Sequence, residues 1–294
     1  MPKNNQKKSG ATWTDIFRPT KTDLNWLKKN FRIHPVILEE LKGPSARARV
    51  EDYGHYLYLI YYFPIYDKEE QTSHRTEIDF IITKNAIITV HYEKLEALSD
   101  LKTKSEANSY KLIYKIISAL MDFEERQLRH VGEKVEIVSK ELFKDKEKEV
   151  LKMVSRLKRD ISEYRIIVRH QGSLLRSFAQ RGKYFWGADS EVYLNDLVGD
   201  HLKIIGHTDD YRETISDFED TNNQLMDLKI NAVMQTFTTL SFLTFPFMLI
   251  AAIFSMNTKD TPLINTPNAF WIVFGFMAAA MISLVIYFKK RGWL

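Results

Sequence analysis

The sequence predicts an α+β membrane protein: a mixed water-soluble body, then one long stalk helix, then two membrane helices at the C-terminus. Three observations carry this. From Ile230 to Thr258 there is no Asp, Glu, Lys or Arg, and after Lys259 and Asp260 none returns until Lys289. Each of these two segments has roughly 20 mostly apolar residues at its centre, enough for a helix to cross about 30 Å of hydrocarbon. Second, from about Glu191 to Met256 the only proline is Pro246 and no stop signal interrupts the run. Third, β-branched and aromatic runs in the first hundred residues give way to an apolar period of three and four.

The 294 residues hold 42 basic and 38 acidic side chains, a net charge of +4, interleaved along the length. That leaves no continuous basic face and excludes nucleic acid as a partner. With no cysteine, disulfides and thiolate metal sites are excluded. Residues 1–12 open with MPKNNQKKSG, basic and polar with no apolar run behind them, and are expected to be a disordered tail rather than a signal peptide.

Asp23 is the expected N-cap of a helix through LNWLKKNF, and Pro35 sits in the first turn of a second that ends at Gly43. Strands are predicted in ARARVEDY, HYLYLIYYFPIY, HRTEIDFIIT and NAIITVHY, with a tight hairpin at Lys84-Asn85. Tyr56, Tyr58, Tyr61, Tyr62 and Phe63 have no basic residues among them, so they read as sheet core rather than a platform for stacking bases. From about Ala107, Tyr110, Ile113, Ile117 and Leu120 mark the buried stripe of a helix. Val154, Leu157, Ile161, Tyr164 and Val168, continued by Leu175 and Phe178, form a heptad seam on another, and the two should pack antiparallel. KELFKDKEKEVLK between them reads as a charged helical surface, and RGKYFWGADS as the loop that ends the second helix.

Asp189 or Ser190 can cap the stalk, with Glu191 favourable to its dipole. At 1.5 Å per residue the run to Met256 makes a rod of roughly 100 Å. Val198, Ile205, Ile215, Phe218 and Leu225 need partners along it, so the stalk implies self-association. His201 and His207 lie six apart, on different helix faces, and are expected at the surface rather than as a metal pair.

Asn231, Met234, Thr238, Pro246, Met256 and Asn257 resemble the CorA magnesium-transporter family. That family enters the membrane on Asn-x-x-Met-Lys-x-Leu-Thr, has a proline midway and ends the span on Tyr-Gly-Met-Asn; here Gln235 replaces Lys, Phe254 replaces Tyr and Ser255 replaces Gly. Phe31-Arg32-Ile33-His34-Pro35, Arg49-Val50-Glu51-Asp52-Tyr53 and Ile81-Ile82-Thr83 are similar to its N-terminal domain. The resemblance implies a funnel-shaped homopentamer with a cytoplasmic α/β/α domain at 13–188, including the helical hairpin. A stalk at 189–236 follows, then a pore-lining span at 237–257, an outer loop at 258–269, a lipid-facing span at 270–288 and a basic tail at 289–294. An even number of spans puts both termini on one side, and Lys289, Lys290 and Arg291, a basic inner ring, place that side in the cytoplasm of a plasma or inner membrane.

The function so implied is passage of hydrated Mg²⁺, or Co²⁺ and Ni²⁺, down its electrochemical gradient, with no organic cofactor. Mg²⁺ sheds water reluctantly, so an Asn257 ring with the carbonyls of Ser255 and Met256 would grip it through its waters. A plain helix cap is the other reading of Asn257. The pore face maps to Asn231, Met234, Phe237, Ser241, Phe245 and Met248, with Phe237 and Phe245 as apolar constrictions or as helix packing. Neither span holds an acid for a proton relay. Asp220 falls on the family's vestibule acid and Asp196 on the acid through which Mg²⁺ bridges subunits; Glu77 and Asp79 are candidate partners, and an ordinary solvated face is the alternative. Two departures bear on the cargo. Ser255 removes backbone freedom, and the outer loop TKDTPLINTPNA balances Asp260 with Lys259. A coupled transporter for Zn²⁺ or another transition metal and a non-conducting regulatory oligomer are the rival classes. No nucleophile–base set or Gly-rich phosphate loop points to an enzyme.

Overall fold

The structure is a computed structural model that describes residues 10–67, 69–70, 72–99, 101, 105–256 and 267–292. The chain divides into two compact units, 1–219 and 220–294.

The first unit is built on a six-stranded sheet. In chain order its strands are β1 (Ala11–Phe17), β2 (Arg49–Asp52), β3 (Leu57–Asp67), β4 (Thr72–Ile82), β5 (Ala86–His91) and β6 (Ser105–Glu106), and in space they run β2-β3-β4-β5-β1-β6. β1 pairs parallel to β5, with Ile16 opposite Val90, and the other pairs are antiparallel. β1 starts at Ala11, inside the stretch assigned to the tail, and the sequence reading had no strand there. The Lys84-Asn85 hairpin closes with Thr83 Oγ1 accepting the Ala86 N–H at 2.8 Å.

Successive strand residues face opposite sides. On one side Tyr58, Ile81 and Ile88 pack with Leu27, Ile33, Ile37 and Leu41, which come from α1 (Lys21–Phe31), α2 (Pro35–Glu40) and the ends of those two helices. Thr20, not Asp23, is the N-cap of α1. Asp23 is the third helical residue and accepts the Thr20 N–H at 2.8 Å, a capping box. The short α3 (Glu96–Ser99) follows β5. Then α4 (Ser109–Glu141) and α5 (Glu147–Trp186) cover the other side, where Leu59, Tyr61, Phe63 and Phe80 are buried. All seven predicted seam residues of α5 are buried. The charged run is no helical surface throughout: residues 142–146 turn the chain, with Asp145 at φ +57°, and Lys144 pairs with Glu141 at 2.7 Å. Nor does RGKYFW leave the helix. Gly182 lies within α5, where the Leu194 side chain takes the space a Cβ would need, and the break comes at Gly187, whose φ of +96° suits glycine.

At the hub of these layers Glu124 of α4 is fully buried. Its Oε1 accepts Gln171 Nε2 of α5 at 2.6 Å and the Tyr61 hydroxyl of β3 at 3.3 Å. Burial raises its pKa from 4.5 to about 8, against the pull of those two donors. An acid raised on folding holds its proton while the unfolded chain loses it, so this contribution to stability is present below 4.5 and is lost as pH climbs to about 8. The unfolding free energy should therefore fall across that window, by at most about 1.4 kcal/mol per pH unit from this one group, and the apparent Tm should fall with it. Glu124→Gln should flatten the slope; an equal slope in the variant would remove Glu124 as its source.

A single-turn 3₁₀ helix, Ala188–Ser190, precedes α6 (Glu191–Ser255). Ser190 does not cap α6; its hydroxyl donates back to the Gly187 carbonyl at 2.8 Å. Within the first unit the buried seam of α6 is Leu194, Leu197, His201, Ile204, Thr208 and Ile215. Of the positions expected there, Ile215 is buried, whereas Val198 and Ile205 lie one residue off the seam and half-buried. His201 is not a surface residue: it is 3% exposed, its Nε2 lies 2.7 Å from where a Cβ on Gly172 would stand, and burial, then the Arg176 charge, lowers its pKa to about 4. His207 is exposed.

The second unit holds the rest of α6 and α7 (Ala269–Lys290). Both helices are long and apolar enough to cross a membrane, with mean hydropathy 2.0 and 2.2 over their apolar windows.

Candidate ion pathway

The membrane part of α6 has two unlike faces. Thr239 is buried and Leu243, Phe247, Ile250 and Phe254 are half-buried, spaced four, four, three and four; off this stripe only Ser241 is half-buried as well. Val273, Met277, Ala280, Leu284 and Phe288 of α7 are sheltered with the same kind of period. One stripe of this period on each helix is the pattern that two helices packed face to face would shelter. On the far side of α6, Met234, Phe245 and Met248 are exposed and Ser241 is half-exposed.

At about 100° per residue, Asn231, Met234, Thr238, Ser241, Phe245, Met248 and Ala252 fall within an arc of roughly 100°. Thr238, Ser241, Phe242, Phe245, Pro246, Met248, Leu249 and Ala252 line one concave strip. Of the candidate pore residues, Ser241, Phe245 and Met248 share this strip. Phe237 is exposed but outside the strip, at the edge of the arc. Thr238, quoted above only as a motif position, lies within it.

The strip is apolar but not blank. Thr238 donates to the Met234 carbonyl at 2.8 Å and Ser241 to the Phe237 carbonyl at 2.9 Å. Satisfied within the helix, these hydroxyls cost little in hydrocarbon, and their lone pairs still face outward as acceptors. Pro246 has no N–H to give the Phe242 carbonyl, which adds another acceptor at mid-span.

α6 ends at Ser255, whose hydroxyl donates to the Ala252 carbonyl at 2.8 Å and so closes the last turn. Met256 is exposed beyond it. Asn257 and loop residues 258–266 lie outside the described residues. At the other end, Lys289 and Lys290 occupy the last turn of α7, where cations suit the dipole, and the Arg291 guanidinium lies 5.8 Å from the Tyr287 ring centroid.

Most stalk acids of the first unit already have partners. Asp209 accepts Arg165 Nε at 2.5 Å, Asp200 pairs with Lys203 at 2.9 Å and Glu219 pairs with Lys158. Asp196 is exposed and accepts the Tyr114 hydroxyl at 2.7 Å. Asp220, in the second unit, is exposed. Glu77 and Asp79 are not beside Asp196. Both are buried on the α1–α2 side of the sheet, away from α4. Glu77 accepts the Ser45 N–H at 2.8 Å, Asp79 accepts the hydroxyls of Tyr58 and Tyr92 at 3.2 and 3.1 Å, and burial raises both pKa values. Among the described residues no three acids or histidines are grouped to hold a metal.

The family model described as CorA-like Mg2+ transporter protein matches residues 8–290. The cobalt/magnesium transport protein CorA of Thermotoga maritima is 23% identical over 97% of this chain and 84% of its own length. The complete CorA structure from Methanocaldococcus jannaschii superposes with a TM-score of 0.83 at 22% identity, over 96% of this chain and 91% of that one. The cytoplasmic domain of ZntB from Vibrio parahaemolyticus gives 0.55 at 15% identity, over 74% and 88%.

Proposed function

This chain belongs to the CorA-like Mg²⁺ transporter family, and from that premise we propose that it passes hydrated Mg²⁺ across a cell membrane down the electrochemical gradient. The pathway runs along the axis of a homopentamer. Five copies of α6 present the strip from Asn231 to Ala252 to one another, and Asn257 with Ser255 and Met256 makes the outer ring. Asp220 draws cations in the inner vestibule, and Asp196 is where cytoplasmic Mg²⁺ closes the assembly. Both termini lie in the cytoplasm, with Lys289, Lys290 and Arg291 as a basic inner ring.

The carrying observation is the two-faced α6. One face is the more sheltered; the opposite, more exposed face carries hydroxyls and a proline-freed carbonyl but no charge. Such a face suits an ion that keeps its water shell, because it offers acceptors to the waters and no carboxylate to strip them. With no acid in either span, the driving force is the membrane potential, about 2.3 kcal/mol per unit charge at 100 mV.

Flux of Mg²⁺, Co²⁺, Ni²⁺ and Zn²⁺ into proteoliposomes tests this. Mg²⁺ uptake should rise with an inside-negative potential and ignore a pH gradient. Zn²⁺ uptake that follows the pH gradient would replace this reading with coupled transport, and no divalent flux at any internal Mg²⁺ would leave a non-conducting oligomer.

A further inference from the structure

Asp196 differs from the other bonded acids in the first unit's part of α6. Asp200, Asp209 and Glu219 hold cations, whereas Asp196 accepts from a neutral phenol, Tyr114 of α4, at 2.7 Å. That hydroxyl is no swinging surface group. The Tyr114 ring stands edge-on to Tyr193, 5.4 Å between centroids, and Tyr193 sits one turn before Asp196 on α6. Tyr193 meets Tyr110 at 5.5 Å and has the Lys111 ammonium 5.7 Å above it; Tyr110 meets Trp186 at 6.4 Å, and Trp186 Nε1 donates to Ser109 Oγ at 2.8 Å. Rings from α4, α5 and α6 thus fix where the phenol points.

We propose that Tyr114 is the intramolecular competitor for Asp196: its hydroxyl clips the carboxylate to its own protomer and sets the concentration at which a divalent cation takes that carboxylate instead. The proposal rests on the reading of Asp196 as the inhibitory acid. A neutral donor leaves the full negative charge to attract a cation, so the clip does not abolish the site. It does occupy Oδ2 and fix the direction of the carboxylate. A divalent ion bridging to a second copy, directly or through its waters, is favoured by that carboxylate turned outward, an orientation the clip opposes. Hydrogen bonds to a charged acceptor are stronger than neutral ones. Loss of one at this exposed position should change the divalent threshold about three- to tenfold. Tyr114 is a positioning residue here and touches no transported ion.

The test uses the full chain in proteoliposomes, with Mg²⁺ titrated on the cytoplasmic side and each variant normalised to its own flux without Mg²⁺ there. Tyr114→Phe keeps the ring cluster and removes the donor. Its half-inhibiting Mg²⁺ should fall about three- to tenfold, and the Mg²⁺-induced rise in apparent Tm should begin at correspondingly lower Mg²⁺. A structural role alone would move the metal-free Tm and leave both midpoints in place. Asp196→Asn separates the two layers of the claim. If it relieves inhibition while Tyr114→Phe leaves the midpoint in place or raises it, Tyr114 is no competitor and this inference fails alone. If Asp196→Asn is still inhibited at wild-type Mg²⁺, the assignment of Asp196 fails and the inference falls with it.

Discussion

Replacing Asn257 with alanine should reduce Mg²⁺ uptake into proteoliposomes by at least about tenfold and remove the preference for Mg²⁺ over other divalents. Mg²⁺ exchanges its inner waters reluctantly, so a selective mouth must recognise the hydrated ion from outside its shell. An amide carbonyl accepts from a water proton without the charge that would draw the cation out of that shell. In the proposed fivefold ring the contributions would converge on one ion, and at about 1 kcal/mol per hydrogen bond the set would be worth several powers of ten in occupancy. Part of that loss is offset by the carbonyls of Ser255 and Met256 at the helix end, so the expected fall is smaller than the full sum. Ser255 contributes through its backbone, since its hydroxyl is turned back on Ala252. Asn257→Gln keeps the amide but moves it by one methylene, and should recover part of the flux and less of the selectivity. Wild-type uptake and selectivity in Asn257→Ala would take Asn257 out of the pathway.

What was legible in the sequence followed the reach of each signal. The hairpin, the long helix and strands β3 to β5 announce themselves through local patterns: no charge over two spans, no stop signal, β-branched and aromatic alternation. β1 does not. Ala11–Phe17 mixes Thr and Asp with a few apolar residues, and its strand state is decided by parallel pairing to β5, far along the chain. The phase of the α6 seam escaped for a related reason. Leu197 and Val198, like Ile204 and Ile205, are apolar neighbours, and only packing chooses between them. His201 reads as solvent-facing by residue type, yet Gly172 on α5 leaves room for its ring, a complementarity no single stretch contains. The turn at 142–146 was masked by residues that favour helix, and Asp145 carries its left-handed step. At the site, the 3.6-residue period brought Ser241, Phe245 and Met248 to one strip. The acid set was beyond reach, because Glu77 and Asp79 differ from Asp196 in which side of the sheet they serve.

Phe245 and Phe247 are two residues apart, and the structure gives them opposite surroundings; this yields the second large effect. Phe245 lines the concave strip and is 61% exposed in the protomer, whereas Phe247 lies half-buried in the more sheltered stripe. A ring of phenylalanines around a narrow axis excludes water, and a hydrated divalent ion cannot enter a stretch that has dewetted. Phe245→Ser replaces each ring with a small hydroxyl that can back-bond to its own helix and still accept from water. Its Mg²⁺ flux should persist at cytoplasmic Mg²⁺ that shuts the wild type, about tenfold or more above the wild-type residual, with little change in apparent Tm. Phe247→Ser acts elsewhere. It empties a half-buried position on the opposite face and should show chiefly as a lower apparent Tm, while the closed state remains tight. If the two variants leaked equally, or if only Phe247→Ser leaked, the strip would face lipid or another helix rather than the ion, and the pathway would have to be drawn along a different face of α6.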